Sequence, residues 1–221
     1  MQEIGSLNPS HTDYGASFNY SVFAEVAPQS SCLDVGCSSG NLGLELIKRK
    51  GCRVQGIDIN LSALEQAEKK GYEQVYKLDL IRNPEALCQV PNLAFDYVIC
   101  ADVLEHLVNP EIIISILATK LKSGGVMIIS LPNVAFGLNR LSLLLGNWNY
   151  RKYGIMDKTH LRFFTINSGV NLVKQGGLEV LKVYPYNQFG ILRNLGIFTL
   201  LFPGFFAYQF MIICTKNKRF F

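Results

Sequence analysis

The chain has 221 residues, 49% of them hydrophobic and 17% charged, with a net charge of +4. That is apolar mass for one well-cored domain and excludes an unstructured chain, while so small and scattered a positive surplus announces no nucleic-acid face. The six cysteines (Cys32, Cys37, Cys52, Cys88, Cys100 and Cys214) form no C-x-x-C pair or zinc spacing, and most lie in strand-like runs, as buried reduced thiols do.

The first dozen residues are polar, and no basic-then-apolar leader follows Met1, so the expectation is a cytoplasmic protein. Residues 18–27 have helical composition and run into Pro28. Strand-like runs then alternate with helical ones. Strands are predicted over 31–35, 53–58, 74–78, 95–100, 125–131 and 178–184, and helices near 41–50, 61–70, 110–122 and 166–175. Gly51, Gly71, Gly124 and Gly176 fall where those helices should stop. This alternation predicts an α/β fold with a doubly wound, mostly parallel sheet and helices on both faces, as a single domain over 1–221.

Two stretches depart from it. Residues 133–165 are long for a strand-to-helix connection and carry Trp148, Tyr150, Tyr153, Asp157, His160 and Arg162, as a segment that binds an acceptor would. Residues 190–206 are apolar, and the uncharged segment between Arg193 and Lys216 is long enough to be weighed as a membrane span. Pro203-Gly204 would break such a helix, so the reading is an apolar helix, a turn and a buried last strand over 206–215. Surface attachment to a membrane through 195–206 is the remaining expectation.

The chemistry is densest at 33–43, Leu-Asp-Val-Gly-Cys-Ser-Ser-Gly-Asn-Leu-Gly, between the first strand and the next helix. A glycine turn there lets backbone approach a ligand, and the helix start offers free N–H groups. Asp58, about twenty residues on at the tip of the second strand, suits a ribose diol. A dinucleotide loop wants a second glycine where Ser38 stands, and Asp34 would repel a pyrophosphate. The same carboxylate suits a sulfonium and an amino group. The loop therefore favours S-adenosylmethionine (SAM), and the absence of Gly-Lys-Ser/Thr excludes a Walker loop.

D-V-G-C-S-S-G at 34–40, G-I-D at 56–58, Lys77-Leu78-Asp79, F-D-Y-V-I-C-A-D-V-L-E-H-L at 95–107 and L-K-S-G-G at 121–125 stand in the order of the class I SAM-dependent methyltransferase motifs. The chain resembles that family over about 30–131, with serine at 38 where the family most often has glycine. The resemblance implies a seven-stranded sheet of order 3-2-1-4-5-7-6. It also implies a cofactor set of Asp34, Gly36, Cys37, Gly40, Asn41, Asp58, Ile59, Asp79, Leu80, Ala101 and Asp102. In that set Asp79 takes the adenine amino group, Leu80 covers the adenine face, and Ala101 and Asp102 pass under the methionine part. The product would be S-adenosylhomocysteine.

For the acceptor half, G-I-M-D-K-T-H-L-R-F-F-T at 154–165 resembles a subgroup of small-molecule methyltransferases, many of them found with glycan and cell-surface polysaccharide pathways. His160, oriented by Asp157, is the expected base toward a hydroxyl, the alternative being that the pair clamps the insert to the sheet. Trp148, Tyr153, His160 and Arg162 are the expected acceptor contacts, with Arg162 either holding an anion or anchoring the loop. His106 reads as a packing histidine in the turn after the fourth strand. The histidines stand far apart in sequence, and no metal is expected.

The function expected is methyl transfer to a small molecule, a sugar or glycan-precursor hydroxyl, with a quinone or lipid-pathway O-methyltransferase as the alternative. A non-catalytic SAM-binding partner protein is the reading of another class. Nucleic-acid acceptors are disfavoured: Cys-Ala-Asp-Val replaces the Asp/Asn-Pro-Pro-aromatic string, and no Pro-Cys nucleophile is present.

Overall fold

A computed structural model of the chain describes residues 18–187 and 196–216. Its seven strands are β1 (Ser31–Val35), β2 (Arg53–Asp58), β3 (Gln74–Lys77), β4 (Phe95–Ala101), β5 (Leu121–Pro132), β6 (Leu178–Tyr186) and β7 (Gln209–Lys216). They form one sheet of order β3-β2-β1-β4-β5-β7-β6, parallel except for β7, which runs antiparallel to β5 and β6.

The helices are α1 (Tyr20–Glu25), α2 (Asn41–Lys50), α3 (Leu61–Lys69), α4 (Pro110–Ala118), α5 (Gly137–Leu144), α6 (Ile166–Gln175), α7 (Gly196–Leu201) and α8 (Pro203–Phe206). Local chemistry fixes their ends. The Asn60 side chain accepts from the Ala63 N–H at the start of α3, and Thr165 and Ser168 form a reciprocal capping box on α6. α2 ends at Gly51 in the left-handed conformation, after a last turn holding Lys48, Arg49 and Lys50.

Successive strand residues face opposite ways into two cores. Leu33, Val98 and Ile129 join one apolar cluster, and Cys32, Ile99 and Ile128 the other. β1 is buried along its whole length because it has parallel neighbours on both sides. All six cysteines are free, and only Cys88 is exposed. The order reverses between β1 and β4, so the crevice at their carboxyl ends is where a ligand belongs.

The predicted alternation is present, with corrections at its punctuation. α4 ends at Ala118 instead of 122, and Gly124, expected to stop it, lies inside β5 with φ +75°. Pro203-Gly204 makes no simple turn. Pro203 opens α8, a first-turn position where its missing N–H costs nothing, so β7 starts at Gln209 instead of 206. Helix α5 inside 133–165 was not predicted. Of the apolar segment 190–206, residues 190–195 lie outside the described residues. Among the described residues no helix is long and apolar enough to cross a membrane.

Candidate active site

The glycine loop is built on backbone that ordinary residues avoid: Gly36, Ser38 and Gly40 have φ of +69°, +49° and +79°. The N–H groups of Gly36 and Cys37 donate to the Ile57 carbonyl, which pins the loop to β2. A Cβ on Gly36 would lie 2.5 Å from Val103 Cγ2, so only glycine allows the loop after β4 to approach this closely. Asp58 secures the non-glycine position. Its Oδ2 accepts from the Ser38 N–H and its Oδ1 from the Asn60 N–H, both at 2.8 Å.

Asp34 is placed differently from expectation. It is 3% exposed beneath the loop, where its Oδ2 accepts from the Tyr72 hydroxyl at 2.7 Å. That hydroxyl in turn accepts from the Gly43 N–H at 3.2 Å. Burial pushes the Asp34 carboxyl up to about 7, with the Tyr72 hydrogen bond opposing and the Asp58 charge adding. Asp34 therefore shapes the loop from below and does not line the cleft above it.

That cleft, of about 270 Å³, brings together Gly36, Asp58, Ile59, Asp79, Leu80 and Asp102 from the predicted set, and adds His106. Ile59 stands 58% exposed at its edge, an apolar wall for a flat ligand. Asp79 Oδ1 accepts from the Ile81 and Arg82 N–H groups at 3.0 Å, which orients the carboxylate and leaves Oδ2 toward Arg82 at 3.7 Å. Asp102 is a non-glycine residue at φ +55°. It is held there by the Ser130 hydroxyl at 2.9 Å and by Gln209 Nε2 at 3.0 and 3.1 Å from its two oxygens. Burial raises its pKa against those hydrogen bonds.

Cys37, Gly40, Asn41 and Ala101 do not line the cleft. The Cys37 thiol is buried against Gly56, and Gly40 serves as the α2 N-cap. Asn41 Oδ1 accepts from Lys70 Nζ at 2.6 Å, and Ala101 packs against the core at the end of β4.

The insert returns to the loop after β4. Phe136, Ile155 and Met156 form a small core of their own. The N–H groups of Leu161 and Arg162 donate to the Glu105 carbonyl at 2.8 and 3.0 Å. This tie brings His160 against His106, ring centroids 4.8 Å apart. His160 Nδ1 meets the Ile155 carbonyl at 3.0 Å and His106 Nδ1 the Thr159 carbonyl at 3.1 Å. A carbonyl only accepts, so both rings carry a proton on Nδ1, and the neutral tautomer this selects has its lone pair on Nε2.

His160 Nε2 lies 4.0 Å from Glu105 Oε1, and these side chains are 7% and 1% exposed. Burial, then the Asp102 charge, raises the Glu105 pKa well above the carboxylate range. The His160 pKa is lowered, first by burial.

Side-chain bonds occupy two of the insert's expected site residues. The Asp157 side chain is not bonded to the His160 ring: its Oδ1 is taken by the Thr159 N–H and hydroxyl at 2.8 and 2.7 Å, which holds its pKa down. Only the Asp157 carbonyl meets His160, accepting from its backbone N–H at 3.1 Å. Arg162 takes the second of its two expected roles, anchoring the loop: its Nε and Nη2 donate to the Val108 carbonyl at 3.0 and 2.6 Å. Trp148 and Tyr153 line a separate cavity of about 150 Å³ with Met156 and Tyr208. Of the two histidines it is His106, read from sequence as packing, that reaches the cleft, with His160 against it.

Comparison with known proteins places the fold. The methyltransferase domain family matches residues 16–183. A protein of Azoarcus sp. (strain BH72) named ubiquinone biosynthesis O-methyltransferase is 32% identical over 170 residues, 71% of this chain and 72% of that one. A protein of the same name from Xanthomonas campestris pv. campestris (strain B100) is 35% identical over 135 residues, 60% of this chain. Of that relative's length the chain spans 53%, about half.

Among solved structures, a SAM-dependent methyltransferase from Archaeoglobus fulgidus superposes with a TM-score of 0.63 at 22% identity, covering 89% of this chain and 90% of that one. One from Mesorhizobium loti gives 0.62 at 13% identity, covering 88% and 94%. At these identities the likeness establishes the fold.

Proposed function

The chain belongs to the methyltransferase domain family of SAM-dependent enzymes, and on that premise we propose that it methylates a hydroxyl on the phenolic ring of a quinone precursor. The observation that carries this is the kinship, at 32% identity over most of the chain, to a protein named for O-methylation in ubiquinone biosynthesis. It favours the quinone-type acceptor over the glycan precursor expected first from the sequence.

The donor half follows from the cleft. Bound there, SAM supplies a methyl group already activated by the sulfonium. Asp58, with lone pairs left on both oxygens after its two backbone bonds, takes the ribose hydroxyls. Asp79 takes the adenine amino group, with Ile59 and Leu80 against the base. Asp102, fixed by Ser130 and Gln209, lies where the methionine part would pass. For such a donor the protein's main work is alignment and exclusion of water. The groups beside the cleft able to act on a hydroxyl are His106 and, against it, His160 with Glu105.

Apolar surface next to the insert supports an acceptor with an isoprenoid tail. A groove of about 440 Å³ runs between α5 and α8, lined by Leu138, Leu141, Leu144 and Phe205, with Arg140 beside them. Ile197, Leu200, Leu201 and Phe202 continue the exposed apolar face. This face would rest on a lipid surface while the cleft takes the ring.

The experiment is transfer of a tritiated methyl group from SAM to dihydroxybenzoates with and without a prenyl tail, against nucleotide sugars. Transfer to the tailed ring is expected. Transfer confined to the sugars would overturn the reading.

A further inference from the structure

We propose that Glu105, His106 and His160 form a binding site for a divalent transition-metal ion at the edge of the cofactor cleft. One ligand atom from each lies within 4.8 Å of the others. Two imidazoles and a carboxylate are a donor set suited to Zn²⁺ or Co²⁺, and three protein ligands leave a coordination position open.

Two independent features point to a ligand there. Glu105 is 1% exposed, yet its Oε2 has no hydrogen-bond partner among the described residues. An orphaned buried carboxylate oxygen is costly, and a cation is the partner that would offset it. Second, both imidazoles donate Nδ1–H to backbone carbonyls, Ile155 for His160 and Thr159 for His106. Both are thereby fixed in the tautomer that ligates through Nε2, the outer-shell arrangement metal-bound histidines have.

The spacing asks for little movement. His160 Nε2 and Glu105 Oε1 are 4.0 Å apart. Metal–ligand bonds of about 2.0–2.1 Å in a tetrahedral site put ligand atoms about 3.3 Å from one another. Closing by about 0.7 Å at that pair, and by up to about 1.5 Å across the cluster's 4.8 Å span, is within side-chain adjustment, because His106 is only half-buried. The rival account, a bare Glu105–His160 ion pair clamping the insert, leaves Oε2 unpaired and gives His106 Nε2 nothing to do.

His106 also lines the cofactor cleft. On the phenolic reading above, the ion's open position would take the acceptor hydroxyl, favouring its deprotonated form as Lewis acids do. The ion would then be part of the acceptor site, with the donor site complete without it.

The protein, dialysed against a chelator and then against buffer, is titrated with Zn²⁺ by calorimetry and with Co²⁺ by visible absorption. Expected are one equivalent bound, the intense d–d bands of four-coordinate Co²⁺, and a higher Tm with Zn²⁺. His106→Gln and His160→Gln should each weaken metal binding at least about tenfold, with SAM affinity unchanged in the His160 variant, whose side chain does not line the cleft. No binding by the folded wild-type protein, or binding that both variants retain, overturns the site. These readings use no acceptor, so they stand apart from failure of the phenolic reading. If the ion binds, chelation should abolish transfer to the tailed ring and Zn²⁺ or Co²⁺ restore it. Transfer that chelation leaves unchanged would overturn the ion's role at the hydroxyl.

Discussion

The Tyr72 hydroxyl donates to Asp34 Oδ2 at 2.7 Å in the space under the glycine loop, and the ring fills the gap that Gly43 leaves. A carboxylate expected to face the cofactor is instead bonded to a tyrosine from beyond α3. Removing the hydroxyl by Tyr72→Phe strands a buried acceptor and should cost about 1–3 kcal/mol, read as a lower Tm. The loss should be larger at pH 8 than at pH 5, because the charged carboxylate depends on that donor more.

Asp34 also gives the protein a pH dependence with a definite sign. Its carboxyl is raised to about 7 in the folded state, so the native form holds a proton that the unfolded chain releases. The contribution to stability is full below the unfolded pKa of about 4 and is lost as pH rises through the folded value of about 7. Asp34→Asn, which cannot ionise but still accepts from Tyr72, should match wild type near pH 4. It should gain on wild type up to about pH 7 and hold a constant lead above. Parallel denaturant titrations across that range check it, and a lead that shrank with rising pH would contradict the assignment.

Asp58 holds Ser38 in its left-handed turn and is assigned the ribose diol. Asp58→Ala should weaken SAM binding at least about tenfold by calorimetry, from one lost charge-assisted hydrogen bond and a looser loop. The same variant should lose little affinity for methionine, which lacks the ribose. Equal losses for both would assign Asp58 to the loop alone.

Arg162 spends its guanidinium on the Val108 carbonyl. Arg162→Ala should lower stability by about 1 kcal/mol and leave KM for a carboxylated acceptor within about twofold. A large rise in KM with unchanged Tm would restore the anion-binding role.

Leu144 and Leu200 stand 82% and 67% exposed on the apolar face. A Leu144→Glu, Leu200→Glu double variant should leave the fold intact, since neither side chain is in a core. It should also abolish the flotation with liposomes expected of the wild type. Flotation unchanged in the variant, or absent in the wild type, would remove the membrane surface from the reading.

The strands and most helices were legible because burial imposes a period on sequence, and the cofactor half because its residues sit within a few positions of strand ends. Gly36, Asp58, Asp79 and Asp102 reach one cleft by sheet order alone. Asp34 was misplaced because successive strand residues alternate faces, and the direction of this penultimate residue of β1 depends on Tyr72, which no local pattern couples to it. The acceptor half was harder for the same reason. His106 and His160 meet only through the bonds from Leu161 and Arg162 to the Glu105 carbonyl, a contact between distant segments with no periodic trace. α5 was missed because its leucines face outward on a surface helix, where composition resembles a core segment.

The bonds from Gln209 to Asp102 join the cleft to β7, which follows every other sheet strand in the chain yet lies between β5 and β6. During synthesis the glycine loop, Asp58 and Asp79 are all made before the strand that steadies Asp102 exists. A nascent chain short of Gln209 has open edges on β5 and β6 and lacks the amide that steadies Asp102 at the cleft. The cleft is therefore finished last: only a chain with its inner antiparallel strand in place has Asp102 held from both Ser130 and Gln209.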